Sequence, residues 1–364
     1  MPWSRYPKIA ESSAAAPASV TTGQWLCTEK IHGANFSVMA TAEGDVHFAS
    51  RSGTLAEDDN FFGYRSQGLD AYLRPRALAL RQALLQSGAS DDGAAVTVYG
   101  ELYGGEYPHP EVQVASGGVG PVQRGVWYSP SLSFMGFDVA ISDGTGARYL
   151  SFDSARDAAK EAGFCFVAPV FRGTLAECLD CNVRFASTVP ATHGLPPLVD
   201  VPNWAEGLVV RPATEPREAS ARGLIKRKIP EFSERQYAND AWRGARHGET
   251  THAGGGGMSW AVKEELLRYE MLAAINQQRL DSVASKIGRV DPTNKVACRR
   301  LLDDFMLDVA EALVDDGLLT QADEMITAHV QLHRECESAC RPFVARFLRA
   351  GQPDAEAELD VTLR

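Results

Sequence analysis

The chain has 364 residues, 45% of them apolar and 23% charged, which suits one large or two ordinary domains and excludes a disordered, collagenous or low-complexity scaffold. Thirty-six Lys and Arg against 47 Asp and Glu leave a net charge of −11, which argues against coating nucleic acid through an overall field and leaves room only for a local basic groove. Charges interrupt the apolar runs well before the ~18 residues a membrane span needs, so no bilayer crossing is expected.

Gln24 to Thr28 alternates like a strand and runs into Glu29-Lys30-Ile31-His32-Gly33. Asn35 to Thr41 and Asp45 to Ser50 read as two more strands, joined by a turn at Gly44-Asp45. Leu73, Leu80 and Leu84 recur at helical spacing and predict a helix over Leu69 to Gln86, with Pro75 in or before its first turn. Ala95 to Leu102, Leu132 to Ile141 and Ala147 to Phe152 are short β-rich runs, followed by a predicted helix from Ser154 to Ala162. Leu208 to Arg211 and Leu224 to Ile229 close the series. Short strands with scattered helices and no regular βαβ alternation point to an α+β domain.

Residues 248–257, GETTHAGGGG, read as a linker or mobile loop, dividing a domain over 1–247 from one over 258–364. Beyond the linker, Val262, Leu266, Tyr269, Leu272 and Ile275 keep a helical stripe, as do Leu302, Phe305, Val309 and Leu313, so the second domain is expected to be all-helical.

Lys30 stands at the end of a strand, ahead of a histidine and a turn-forming glycine. A solvated lysine is protonated and cannot attack, so a reactive one needs burial or neighbouring cations. Lys226 and Lys228 lie two apart on a predicted strand, so both ammonium groups face one side and Arg227 the other. They are placed to bind phosphates and to help deprotonate Lys30. Taken singly, each motif also reads as a solvated turn or a solvated face.

The ordered set is more specific. Lys30-Ile31-His32-Gly33, Tyr99-Gly100-Glu101-Leu102-Tyr103-Gly104, Phe134-Met135-Gly136-Phe137-Asp138, Glu206-Gly207-Leu208-Val209-Val210-Arg211 and Leu224-Ile225-Lys226-Arg227-Lys228 follow in succession. The series resembles motifs I, III, IIIa, IV and V of the covalent nucleotidyltransferases. The phrase GQWLCTEKIHGANFSV, the run GELYGGEYPHP, Tyr128-Ser129-Pro130 ahead of MGFD, and Pro230-Glu231-Phe232-Ser233-Glu234 make it similar to the RNA ligase 2 family, which includes phage double-strand-RNA ligases and trypanosome RNA-editing ligases. The opening Tyr6-Pro7-Lys8-Ile9 also fits, and the resemblance covers roughly residues 5 to 235.

The resemblance implies an ATP-grasp-like nucleotidyltransferase domain of antiparallel sheets with flanking helices. It also implies an ATP-dependent ligase that joins RNA 5′-phosphate and 3′-OH ends, chiefly at nicks in duplex RNA. Lys30 would attack the ATP α-phosphate and expel pyrophosphate; AMP would pass to the RNA 5′-phosphate; a 3′-OH would then displace AMP. In-line displacement at phosphorus demands alignment and charge neutralisation. By resemblance Lys226, Lys228 and Mg²⁺ meet that need, with Glu206 helping to position the metal and Asp138 either metal-proximal or buried and structural. Glu101 is expected on the adenosine ribose, and Phe137 stacks on the adenine, its structural alternative being a core aromatic. His32 is expected near the phosphates in the second step. Arg51 is assigned to ribose and RNA-end contacts, Asn35 to the RNA 5′-phosphate, and Glu29 to framing the adenine.

No Arg-x-Asp-Lys motif follows Lys228, which lowers DNA ligases and capping enzymes with an OB domain, and no GxxxxGK[ST] marks an appended kinase. A DNA ligase lacking the OB domain and a non-catalytic nucleotide-dependent RNA-binding module are the alternatives. Seven cysteines do not form a disulfide framework, so a reducing cytoplasm is the expected compartment. The Ser/Ala stretch from Ser12 to Ser19 looks like part of a transit peptide, but the first motif follows so closely that little room for a removable leader is expected. Cys178-x-x-Cys181 lacks a second pair and reads as incidental thiols. His333, Cys336 and Cys340 share a helix face and read as packing. The basic cluster from Arg217 to Arg246, which contains Arg222, Lys226, Arg227, Lys228, Arg235, Arg243 and Arg246, belongs in part to the expected active site, and the rest either tracks an RNA backbone or is solvated.

Overall fold

The computed structural model describes residues 3–10, 23–114, 120–143, 146–198, 202–214, 222–232, 267–268, 270–315 and 318–350. The chain divides into two compact units, Met1–Ile229 and Pro230–Arg364. The expected boundary at 247/248, the glycine-rich 248–257 segment and Ser12 to Ser19 lie outside the described residues. No helix among the described residues is long and apolar enough to cross a membrane.

The first unit carries two antiparallel sheets. Strands β1 (Trp25–Glu29), β2 (Ala34–Ala40), β3 (Val46–Ser50), β4 (Ala95–Glu106), β5 (Ser129–Ser142), β6 (Ala147–Tyr149), β7 (Pro169–Gly173), β8 (Gly207–Pro212) and β9 (Ile225–Lys228) sort into a five-stranded sheet of order β3-β2-β4-β5-β6 and a four-stranded sheet of order β7-β1-β8-β9. The predicted hairpin is present, with Thr41 donating to the Asp45 carbonyl at 2.9 Å and Gly44 at a φ of +90°.

Helix α1 (Leu69–Gln86) covers the five-stranded sheet with Leu69, Leu73, Ala77, Leu80 and Leu84 buried. Pro75 stands inside this helix rather than in or before its first turn. An interior proline costs about 3 kcal/mol, whereas each buried leucine returns roughly 1.5–3 kcal/mol, so the apolar stripe carries the helix past it. Helix α2 (Phe152–Glu161) starts at Ser151, whose hydroxyl caps Ser154 N–H, and packs on β5. Helices α3 (Leu175–Asp180) and α4 (Val189–Thr192) were not visible in the sequence. The capping box of α3, Thr174 with Glu177, starts a helix too short to show periodicity. Cys178 sits in the core between α3 and the four-stranded sheet, beside Trp25, Cys27 and Leu208.

The second unit is helical: α5 (Gln277–Ile287), α6 (Lys295–Asp315), α7 (Glu324–Thr327) and α8 (Val330–Ala350) enclose one apolar core. Leu302, Phe305, Val309 and Leu313 are buried as predicted. Of the preceding stripe, Val262, Leu266 and Tyr269 lie outside the described residues, Ile275 is buried as predicted, and Leu272 is 49% exposed, with Leu267 and Met271 in the core instead. Leu272 follows directly on buried Met271 and is therefore turned about 100° away from the face that runs through Leu267, Met271 and Ile275. Cys336 and Cys340 are buried in this core with their sulfurs 4.0 Å apart.

Candidate active site

Lys30 follows directly on β1, and its N–H donates to the Gly207 carbonyl at 2.9 Å, extending the β1–β8 pairing by one residue. The Lys30 ammonium donates to Glu206 Oε2 at 2.7 Å. Lys228 Nζ lies 3.2 Å from the other oxygen, Oε1, and His32 Nδ1 lies 3.2 Å from Oε2. Burial by itself would push the Glu206 carboxyl up; Lys30, Lys228 and His32 reverse this and hold it well below the ordinary carboxylate range.

Two glycines permit this approach. At Gly33 an added Cβ would lie 2.1 Å from the Leu102 carbonyl oxygen, so the turn after Lys30 passes β4 at a distance that only glycine allows. Gly207 has a φ of +150°, and a Cβ there would meet the Arg227 carbonyl at 2.0 Å. β8 and β9 therefore come together with no side chain between them beside Glu206.

β9 presents Lys226 opposite Val209 and Lys228 opposite Gly207, on one face of the sheet. Arg227 points to the other face and donates to the Cys181 carbonyl at 2.8 Å. The alternation is as predicted, but the immediate charged neighbour of Lys30 is the Glu206 carboxylate, which Lys228 shares, rather than a bare cation.

The five-stranded sheet supplies the opposing groups. Glu101 on β4 pairs with Asn35 on β2, which places both side chains on one face. Burial pushes the Glu101 carboxyl up to about 8 against the pull of Lys30, Arg51 and Lys228, and Glu206 adds to the rise. Arg51, just past β3, donates from Nη1 to the Tyr6 carbonyl at 2.6 Å. Phe137 is partly buried and meets the Tyr6 ring edge-on, centroids 5.0 Å apart. β4 pairs Tyr99 with Asp138 and Gly100 with Gly136, so Phe137 is the extra residue of a β-bulge. Such a bulge re-aims the side chain it carries.

Comparison with known proteins gives a consistent result. The sequence model of the family described as RNA ligase matches residues 23–228, more than half of the chain. The chain belongs to the RNA ligase family. It is 27% identical over 346 residues to RNA-editing ligase 2, mitochondrial, of Trypanosoma brucei brucei, covering 82% of this chain and 81% of the relative. It is 31% identical over 243 residues to RNA-editing ligase 1, mitochondrial, of the same organism, covering 59% of this chain and 51% of the relative. Among solved structures, an archaeal ATP-dependent RNA ligase matches with a TM-score of 0.36 at 14% identity, over 84% of this chain and 64% of that one. A Naegleria gruberi RNA ligase mutant with ATP and Mn matches with a TM-score of 0.40 at 12% identity, over 63% of this chain and 57% of that one. The chain thus spans less than two thirds of the solved chains and about half of the second curated relative.

Within this ligase-family domain the predicted residues fall into two groups. Lys30, His32, Glu206, Lys228 and Glu101 converge, with Arg51 close enough to Glu101 to act on its carboxyl, Asn35 opposite Glu101 and Lys226 on the face of Lys228. Glu29 does not join them. It precedes Lys30 on an extended chain and so carries its side chain to the other face, where it accepts from Ser187 Oγ, Thr188 Oγ1 and Thr188 N–H, each at 2.7 Å.

Asp138 is also placed differently from its metal-proximal expectation. It is fully buried; Arg211 Nη2 donates to Oδ1 at 2.7 Å, Arg222 Nη2 to Oδ2 at 2.8 Å, and Tyr6 Oη also to Oδ2. With both oxygens engaged by guanidinium groups, the carboxylate is closed to a metal and its role is structural. Arg222, expected among the basic residues of a surface, is therefore a core residue. Arg217, Arg235, Arg243 and Arg246 lie outside the described residues. Sequence reasoning gave no role to Tyr6, Arg124, Tyr128 or Arg211. Tyr6, Tyr128 and Arg211 were visible only as members of quoted motifs, and the Arg124 contact is made by its backbone carbonyl, which no residue identity announces.

Proposed function

We propose that this chain is an ATP-dependent RNA ligase that seals nicks in duplex RNA through a Lys30–AMP intermediate. The observation that carries the reading is the convergence of Lys30, Lys228 and His32 on the single buried carboxylate of Glu206.

Lys30 Nζ attacks the α-phosphorus of ATP, a P–N bond forms, and pyrophosphate leaves. The RNA 5′-phosphate then displaces Lys30 and takes the AMP, and a 3′-OH displaces AMP to form the phosphodiester. An ammonium paired with a carboxylate has no lone pair to give, so the Lys30–Glu206 pair must part and a proton must leave Nζ before the attack. Lys228 and Lys226 lie on the face where negative phosphate oxygens gather, and they offset charge there. Glu101, neutral at pH 7, can both donate to and accept from a ribose hydroxyl. Phe137 offers an adenine a face, and such stacking contributes roughly 1–3 kcal/mol.

A divalent cation, which we take to be Mg²⁺, fits this site in one way. Among the described residues no group of three or more His, Cys, Asp or Glu is arranged to hold a metal, whereas Glu206 offers one buried hard oxygen donor once the Lys30 ammonium has parted from its Oε2. Such an ion would be held by Glu206 together with phosphates and water, and when bound it would neutralise charge on the phosphate oxygens. All seven cysteines are free thiols, which fits the reducing, cytoplasmic setting we propose.

The test is direct. Protein incubated with α-labelled ATP and magnesium, then denatured, should carry label that disappears in Lys30→Ala. Matched nicked duplexes with RNA or DNA 3′-OH ends then separate an RNA ligase from a DNA ligase lacking an OB domain. Absence of label from folded protein favours the RNA-binding module.

A further inference from the structure

We propose that Asn203 is a positioning residue for His32. The inference rests on the ligase reading for its assay and on geometry for its content. His32 is held at three points. Its main-chain N–H donates to Tyr128 Oη at 2.8 Å, Nε2 lies 3.0 Å from the Arg124 carbonyl, and Nδ1 lies 3.2 Å from Glu206. Two of these holds come from residues 124–128 and the third from Glu206, the residue just before β8. Asn203 ties the two sources together.

Its side-chain amide pairs with the Trp127 peptide in both directions: Oδ1 accepts the Trp127 N–H at 2.9 Å, and Nδ2 donates to the Trp127 carbonyl at 2.6 Å. An asparagine amide thus takes the place of a strand neighbour at Trp127. Asn203 is itself anchored, because its carbonyl accepts from Ser187 N–H at 2.9 Å, and Ser187 donates through its hydroxyl to Glu29. Three residues further along the chain stands Glu206. Within the segment that Asn203 holds, Val126 and Tyr128 are buried, whereas Arg124 and Gly125 are exposed and bury little apolar surface to fix themselves. Lys30, by contrast, is fixed by Gly207 and Glu206 and needs nothing from residues 124–128. Loss of the Asn203 amide should therefore release the Arg124 carbonyl from His32 Nε2, while the Tyr128 ring, buried against Tyr103, and the Lys30–Glu206 pair stay in place.

A double-mutant cycle tests this. Wild type, Asn203→Ala, His32→Ala and the double variant are compared in two single-turnover assays: label uptake from α-labelled ATP, and transfer of that label from isolated protein to a nicked RNA duplex bearing a 5′-phosphate. We expect Asn203→Ala to slow whichever step His32→Ala slows, by roughly ten- to hundredfold. In the His32→Ala background it should add less than about twofold, because the two act as one unit. The proposal is overturned if the two effects multiply in full, if Asn203→Ala slows a step that His32→Ala leaves alone, or if His32→Ala is as active as wild type. Should Asn203→Ala not fold, Tyr128→Phe removes one oxygen from the same network and must show the same non-additivity with His32→Ala. A wild-type chain that takes no label overturns the ligase reading itself, an outcome distinct from a labelled wild type with additive variants.

Discussion

Glu206 and Glu101 face the same lysines from two different sheets, and their carboxyls are driven in opposite directions. Glu206, in contact with Lys30, Lys228 and His32, is held well below the ordinary range despite its burial. Glu101 is half-buried without such contacts, and the desolvation of its carboxyl pushes it up to about 8. Two acids of one type thereby take two states at neutral pH, one a carboxylate that binds cations and the other a neutral hydrogen-bonding group.

The pH dependence of stability follows from Glu101. A carboxyl whose folded value rises from 4.5 to about 8 contributes stability that is fully present below about pH 4.5 and is lost as pH rises through about 8. Glu101→Gln removes the titration and keeps the shape. Urea midpoints of the wild type should therefore fall relative to Glu101→Gln between pH 5 and pH 9. Parallel profiles for the two proteins across that window would mean that Glu101 ionises normally.

Glu206 has the opposite sign. Its folded value lies well below 4.5, so its contribution is present above about pH 4.5 and lost as pH falls toward the depressed value. In Glu206→Gln the ammonium groups of Lys30 and Lys228 face a neutral amide. Label uptake from α-labelled ATP should drop by more than about 100-fold, the scale on which a preorganised charged group matters. The stability gap between wild type and Glu206→Gln should close as the solution is acidified below pH 4.5. Uptake within a few-fold of wild type in a folded Glu206→Gln protein would show that the carboxylate is dispensable for the first step.

Much of this site was legible because its residues sit on strands. Alternation alone placed Lys226 and Lys228 together and Arg227 apart, and the register of β9 against β8 follows that pattern. The same alternation, applied to Glu29 and Lys30, sends them to opposite faces, yet the family resemblance had grouped them. Asp138 was harder to read. A bulge at Phe137 shifts its register against β4, and the residues that close over it, Tyr6, Arg211 and Arg222, are 132, 73 and 84 positions away in sequence. A buried carboxylate and a metal ligand look identical until the groups around them are known. Strand β7 escaped notice because it is a short edge strand with Val170 and Phe171 partly exposed, and so shows no clean apolar alternation.

Asp138→Ala should destabilise the fold more than any other single carboxylate change in this domain. Arg211 and Arg222 have side chains only 3% exposed, so removing Asp138 takes from two buried guanidinium groups the carboxylate that both contact. Breaking a buried pair in this way costs about 3–5 kcal/mol. Tyr6→Phe removes a hydroxyl that donates to Asp138 and accepts from Arg222 Nη1 at 3.2 Å, but leaves both guanidinium–carboxylate contacts intact, and should cost only about 1 kcal/mol. Urea unfolding of both variants measures the contrast. An Asp138→Ala protein as stable as Tyr6→Phe would return Asp138 to the group of solvent-accessible, functional carboxylates.

Gly207 provides the most stringent test of the backbone. A Cβ at this position meets the Arg227 carbonyl at 2.0 Å, and the φ of +150° is one that other residues rarely adopt. Relief requires β8 and β9 to separate, which moves Glu206 and Lys228 together with their strands. Gly207→Ala should therefore lose label uptake as well as stability: backbone strain contributes about 1–3 kcal/mol and forced separation of the packed strands about 1–3 kcal/mol more. Gly44→Ala serves as the control. It also has a positive φ, +90°, but an added Cβ finds nothing within 4 Å, so it should lose some stability through strain alone and take up label at the wild-type rate. If Gly207→Ala and Gly44→Ala are equally impaired in both measurements, the close approach of β8 to β9 does not govern the geometry around Glu206.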